Sequence, residues 1–206
     1  MRVNRHFRRS LAVAVPLLLA VSPAGAADDQ EPSVQKLLER GALAEAVQRA
    51  ESDAGNPEST YLAAQAAAKM NEPAKANEQF ARLRESGDGA WKAIGESGAE
   101  LIAGNLSAAM DAANRAIGAN ADNPYAHYQA GIVASRQNDH ARAAEAFGRT
   151  VELKPDFAYA HYYAGLATQR LKQIPKMSQY FEAFMRLAPE APERAAVAAI
   201  LRTLRG

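Results

Sequence analysis

Residues 125–131 read YAHYQAG and residues 159–165 read YAHYYAG, nearly the same heptapeptide written twice, 34 positions apart. A fixed period of 20 to 50 residues marks a chain built from repeated supersecondary units. The periodicity spreads outward from this pair. With Pro124 as position 1 of one unit and Ala158 as position 1 of the next, glycine falls at position 8, as Gly131 and Gly165. An aromatic falls at position 24, as Phe147 and Phe181, and proline at position 32, as Pro155 and Pro189. Position 20 holds Ala143 and then Met177.

The surrounding composition selects helices. Ala, Leu, Gln, Glu, Arg and Lys dominate after residue 26, and all are strong helix formers. No long window alternates with period two, so strands are not expected. Breakers recur at Asn56-Pro57, Gly87-Asp88-Gly89, Asn123-Pro124, Pro155-Asp156 and Pro189. Two antiparallel helices whose axes approach to ~8–10 Å need small residues at the crossing, and an aromatic fills the space beside it. A proline then ends the second helix and turns the chain into the next unit.

This layout resembles the tetratricopeptide repeat (TPR), a 34-residue helix–turn–helix with the pattern W-x2-L-G-x2-Y, then A-x3-F, then P. The likeness covers residues 33–190 as about five units. Trp91 to Gly95 (WKAIG) is similar to W-x2-L-G, with Ile94 in place of Leu, and residues 104–117 supply Ala109, Ala113 and Ala116 at small positions. Pro57 to Ser86 supplies Ala64, Ala76, Phe80 and Leu83; LLERGALAEAVQRA (37–50) reads as a degenerate, shortened first unit. The last two units and the earlier ones do not share one strict register, so one to three extra residues are expected between them. The fold class implied is all-α: a right-handed superhelical solenoid with a capping helix over 191–206. Val197, Ile200, Leu201 and Leu204 form the single apolar stripe such a cap needs.

The first 26 residues read as a leader. Arg2, Arg5, Arg8 and Arg9 precede an apolar run from Leu11 to Val21, then Pro23 and the small-residue site Ala24-Gly25-Ala26. That order is the three-part plan of a secretory signal peptide. The expectation is export to the periplasm, with secretion from the cell as the alternative, and a short linker over 27–32. Arg8-Arg9 is a weak hint of twin-arginine export. The chain carries 24 Lys+Arg and 23 Asp+Glu; removing four arginines leaves 20 against 23, or −3. That balance argues against nucleic acid as a partner, since its binding needs clustered cations. There is no cysteine, hence no disulfide and no cysteine for lipid attachment.

The resemblance also implies where a partner would lie. The first helix of each unit lines a concave groove through positions 2, 5, 9, 12 and 13. These are Tyr125, Tyr128, Ile132, Ser135 and Arg136 in one unit and Tyr159, Tyr162, Leu166, Gln169 and Arg170 in the next. In the unit from Pro57 they include Tyr61 and Lys69. A row of tyrosines beside a row of cations suits a peptide with acidic and apolar residues, because Tyr and Arg are frequent interface anchors. A scaffold role for Tyr128 and Tyr162 is equally compatible with the family pattern. Trp91, Phe80, Phe147, Phe181 and Phe184 are expected in the core.

No catalytic motif, glycine-rich phosphate loop or cofactor signature is present. His127 and His161, at position 4 of consecutive units, lack the three or four ligands a zinc ion takes, so no metal is expected. The reading is a non-enzymatic adaptor or assembly factor of the bacterial cell envelope that binds a protein or peptide, with no membrane anchor after processing. The alternatives are a peptidoglycan- or polysaccharide-binding accessory subunit, or a scaffold assembled from copies of itself.

Overall fold

The structure is a computed structural model that describes residues 31–53, 55–85 and 88–204. The leader expected over 1–26, and most of the linker, lie outside the described residues. The described residues form eleven helices and no strand. In chain order these are α1 (Val34–Glu39), α2 (Leu43–Ser52), α3 (Pro57–Lys69), α4 (Pro73–Arg84), α5 (Gly89–Ile102), α6 (Leu106–Ala119), α7 (Pro124–Arg136), α8 (His140–Leu153), α9 (Ala158–Arg170), α10 (Ile174–Leu187) and α11 (Arg194–Thr203). Each helix packs on the one before it, and α1 and α5 also reach the second helix along, α3 and α7.

The helix starts follow from local chemistry. Asn56, Asp88 and Asn123 are extended residues whose side chains accept the first free N–H groups of α3, α5 and α7. Pro57 and Pro124 occupy the first turn, where no N–H is needed. The turn inside each helix pair contains one residue with positive φ: Gly41, Asn71, Gly104, Asn138 and Lys172. These five markers are separated by 30, 33, 34 and 34 positions, and so count five units with a shortened first one. From Gly89, where α5 begins, to Pro124, where α7 begins, is 35 positions, one more than the 34 from there to Ala158.

The core is what the repeat frame requires. Ala64, Ala76, Ala109, Ala113, Ala116 and Ala143 are wholly buried, as are Phe147, Phe181 and Phe184. A Cβ built on Gly131 would stand 2.6 Å from the Phe147 ring, and one on Gly165 2.4 Å from Phe181. The glycines therefore exist to admit the aromatic of the partner helix. The middle of the array solves the same problem differently. Helix α6 carries no aromatic, and Phe80 of α4 instead packs against Gly98 of α5, while Gly95 rests against the α4 backbone at Phe80. Val197 and Leu201 of α11 share one apolar cluster with Phe181 and Phe184 of α10, while Leu204, the last member of the expected stripe, is exposed.

Candidate functional site

The inner helices α3, α5, α7 and α9 turn their aromatic side chains toward one another. Tyr61 of α3 lies 5.4 Å from Tyr125 and 6.3 Å from Tyr128 of α7, and 6.3 Å from Trp91 of α5, ring centre to ring centre. Tyr128 continues the cluster to Phe157 at 4.8 Å and to Tyr163 at 6.0 Å; Tyr159 meets Tyr162, Tyr163 and Phe184. Edge-to-face and tilted pairs at such separations are favourable.

This corrects the expectation of an open row of tyrosines. Tyr61, Tyr125, Tyr128 and Tyr159 are 0–3 % exposed. The physical reason is curvature: the alanine-rich helices approach closely enough for the inner face to close on itself, and rings fill the space a ligand would need. Burial pushes the Tyr61 and Tyr128 hydroxyls well above their ordinary range, and Tyr163 to about 12. Burial is also the first cause of the upward shifts at Tyr125 and Tyr159, with Glu58 and Glu193 adding to them.

The buried hydroxyls of Tyr61, Tyr125 and Tyr159 each find a partner across the closed face. Tyr61 donates to Gln129 Oε1 at 2.9 Å; Gln129 donates to Ser97 Oγ at 3.2 Å, which donates to the Ala109 carbonyl at 2.8 Å. That relay joins α3, α7, α5 and α6. Tyr125 donates to Glu58 at 2.5 Å, and Lys154 stands 3.5 Å from the same carboxylate. Tyr159 donates to Glu193 at 2.9 Å. Lys69 binds that same carboxylate at 2.6 Å and sits 4.3 Å above the Tyr159 ring. Lys69 is therefore spent on an intramolecular contact, and does not stand in an open cationic row.

The first unit completes the closure. Phe157, at the N-cap of α9, has no side chain able to accept a hydrogen bond. Glu39, at the end of α1, does so in its place, accepting the Ala158 N–H at 3.2 Å. Gln35 donates to the Asp156 carbonyl at 3.1 Å and to Glu39 at 2.9 Å, and Lys36 neutralises the carboxylate at 2.9 Å.

The remaining residues of the expected groove stay accessible. Tyr162 and Gln169 are half-buried, and Arg170 is exposed at the end of α9. On α7, Ser135 is half-buried and back-bonds to the Gly131 carbonyl at 2.8 Å, and Arg136 is exposed. Arg136 and Arg170 form no ion pair among the described residues. The accessible part of the inner face is thus the C-terminal end of α7 and α9: Ile132, Ser135 and Arg136 beside Leu166, Gln169 and Arg170.

The two histidines have a local use. Nε2 of His127 lies 2.8 Å from the Ala121 carbonyl, and Nε2 of His161 lies 2.9 Å from that of Pro155. A carbonyl only accepts, so each ring donates from Nε2 and fastens the turn that precedes its helix. Burial lowers the His161 pKa. The repeated heptapeptide is therefore a structural unit: tyrosines into the closed face, histidine onto the turn, glycine under the aromatic.

Sequence reasoning missed Glu39, Glu58, Glu193 and Gln129. Only Gln129 left a signal: it occupies the position that Tyr163 fills in the next unit, a polar residue written into a core place.

The helix pairs, the five turns and the glycine–aromatic contacts define a tetratricopeptide-repeat solenoid. One solved structure of similar fold agrees on that class. TTC0263, a thermophilic TPR protein in Thermus thermophilus, is similar with a TM-score of 0.57 and 16% identity, over 82% of this chain and 99% of that one. YrrB, a TPR protein with an unusual peptide-binding site, gives 0.49 at 20% identity over 81% and 84%. MamA gives 0.48 at 23% identity over 76% and 95%. No protein-family model and no curated protein matches the chain. At 16% identity the TTC0263 likeness speaks for the fold.

Proposed function

We propose that this chain is a non-enzymatic protein–protein interaction module, an adaptor or assembly factor that acts in the periplasm after export. The observation that carries the reading is the accessible strip at the end of α7 and α9. There Arg136 and Arg170 stand exposed, with no ion pair among the described residues, beside the half-buried apolar residues Ile132 and Leu166. Helix-repeat arrays present such strips to extended or helical segments. Two guanidinium groups beside apolar side chains favour a partner segment with acidic and apolar residues. Tyr162, Ser135 and Gln169 would border it; the enclosed tyrosines hold the helices that present it.

In-cell crosslinking followed by pulldown tests this. Wild type is compared with Arg136→Ala/Arg170→Ala, after circular dichroism confirms equal helicity. One envelope protein captured by wild type and lost from the variant is the expected result. The same protein captured equally by both would overturn the assignment of the strip.

A further inference from the structure

A second cleft lies away from the strip. Helices α2 and α4 do not seal against each other, and the gap between them, closed below by the α3–α4 turn, encloses about 230 Å³. Its floor is apolar, from Val47 and Met70. Its walls carry Glu51 from α2 and Glu72 and Glu78 from the start and middle of α4, against one cation, Lys75. Lys75 is held by Glu72 at 2.8 Å. Glu51 and Glu78 form no ion pair among the described residues.

One observation separates this cleft from an ordinary acidic surface. Gln79, which lines it, is 3 % exposed, yet its Oε1 is buried with no hydrogen-bond partner among the described residues. Buried acceptors are nearly always paired, and an unpaired one in a folded protein calls for a reason. Elsewhere in this chain the buried glutamine amide of Gln129 is satisfied at both ends. Gln79 thus brings an unpaired acceptor to the lining of a cleft whose walls bear net negative charge.

We propose that this cleft receives the arginine side chain of a partner polypeptide. The volume fits one long side chain; sites for whole small molecules run to ~300–1,000 Å³. Val47 and Met70 would take the methylene stem, as such stems lie along apolar surface. The guanidinium head has donors spread in one plane, so it can turn toward Gln79 and toward Glu51 and Glu78 on opposite walls together. A lysine ammonium is compact and point-like, and reaches fewer of these groups at once. Charge complementarity sets the sign: three carboxylates against one lysine.

The test is a titration of the full chain with N-acetyl-arginine amide, followed by backbone amide NMR shifts. The neutral isostere N-acetyl-citrulline amide and N-acetyl-lysine amide serve as controls. Saturable shifts confined to residues 44–51 and 70–79, absent with the citrulline compound and weaker with the lysine compound, are expected. Glu51→Gln/Glu78→Gln should weaken binding about tenfold, the scale of two lost charge-assisted contacts. Gln79→Leu should abolish binding with the fold retained. Shifts elsewhere, equal shifts with citrulline, or indifference to the carboxylate variants would overturn the site. Equal binding of lysine would overturn the preference for a guanidinium. Arg136→Ala/Arg170→Ala should bind the arginine compound normally, so failure of the strip and failure of this cleft are read separately.

Discussion

The Glu39 carboxylate accepts the backbone N–H of Ala158 at 3.2 Å, from 119 positions earlier in the chain. A helix that begins with Phe157 and Ala158 has no cap of its own, and the first unit supplies one. A carboxylate at that end also complements the helix dipole. Glu39→Ala should lower the unfolding free energy by about 2 kcal/mol, through a lost cap and an unpaired Gln35 amide. Glu39→Gln keeps an acceptor and should cost less than half as much. Urea midpoints with unchanged slope measure both. A change under about 0.5 kcal/mol for the alanine variant, within the range of ordinary surface substitutions, would show that the first unit does not hold α9.

The second tie runs from Lys69 on α3 to Glu193, just before α11, at 2.6 Å, with Tyr159 between them. The two side chains are 25% and 19% exposed, so solvent screens the pair incompletely. A double-mutant cycle with Lys69→Ala and Glu193→Ala should give a coupling of about 1 kcal/mol, at the upper end for accessible ion pairs. The coupling should shrink in 1 M salt, where the Debye length is ~3 Å. Additive single effects would mean that α11 is held without this pair, by its apolar side chains and the Arg194 bond to the Met185 carbonyl.

The repeat was legible because its determinants are local. A glycine under an aromatic, an Asn-Pro before a helix and a turn residue with positive φ are each set by a few neighbouring residues. The closed inner face was not legible, because curvature accumulates from small rotations between every pair of helices. Whether Tyr61 faces solvent or Tyr125 depends on all of them together. Glu39, Glu58 and Glu193 look like surface carboxylates in sequence, and only the closure of the array brings them to Ala158, Tyr125 and Tyr159. Arg136 and Arg170 lie at the ends of their helices, where closure does not reach, and there the side chains remain on the surface.

The enclosed tyrosines make stability fall in base. Their hydroxyls titrate near 10 when unfolded, and burial raises Tyr61, Tyr128 and Tyr163 above that in the folded chain, Tyr163 to about 12. Above pH 10 the unfolded state therefore holds fewer protons than the folded one. By linkage, stability is fully present below pH 10 and is lost as pH rises toward and beyond 12. The melting temperature should be level from pH 8 to about 10 and then drop. Tyrosinate absorbance should appear together with the loss of helical circular dichroism. Ionisation of every tyrosine with the helices intact would show an inner face open to water.

Lys172 provides a test of the repeat itself. Four of the five intra-unit turns place Gly or Asn at the residue with positive φ; the fifth places Lys172, at φ 58°. A Cβ in the left-handed region costs roughly 1–2 kcal/mol, which glycine avoids and asparagine offsets by local hydrogen bonding. Lys172 is exposed and forms no ion pair among the described residues, so its replacement loses little else. Lys172→Asn should raise the unfolding free energy by about 0.5–1 kcal/mol. The reciprocal change, Asn138→Lys in the preceding unit, should lower it by a similar amount. Urea midpoints of the two variants, with opposite signs, would show that the two turns carry the same backbone demand. A loss of stability in Lys172→Asn would mean that its side chain does something for the fold that the other four turns do without.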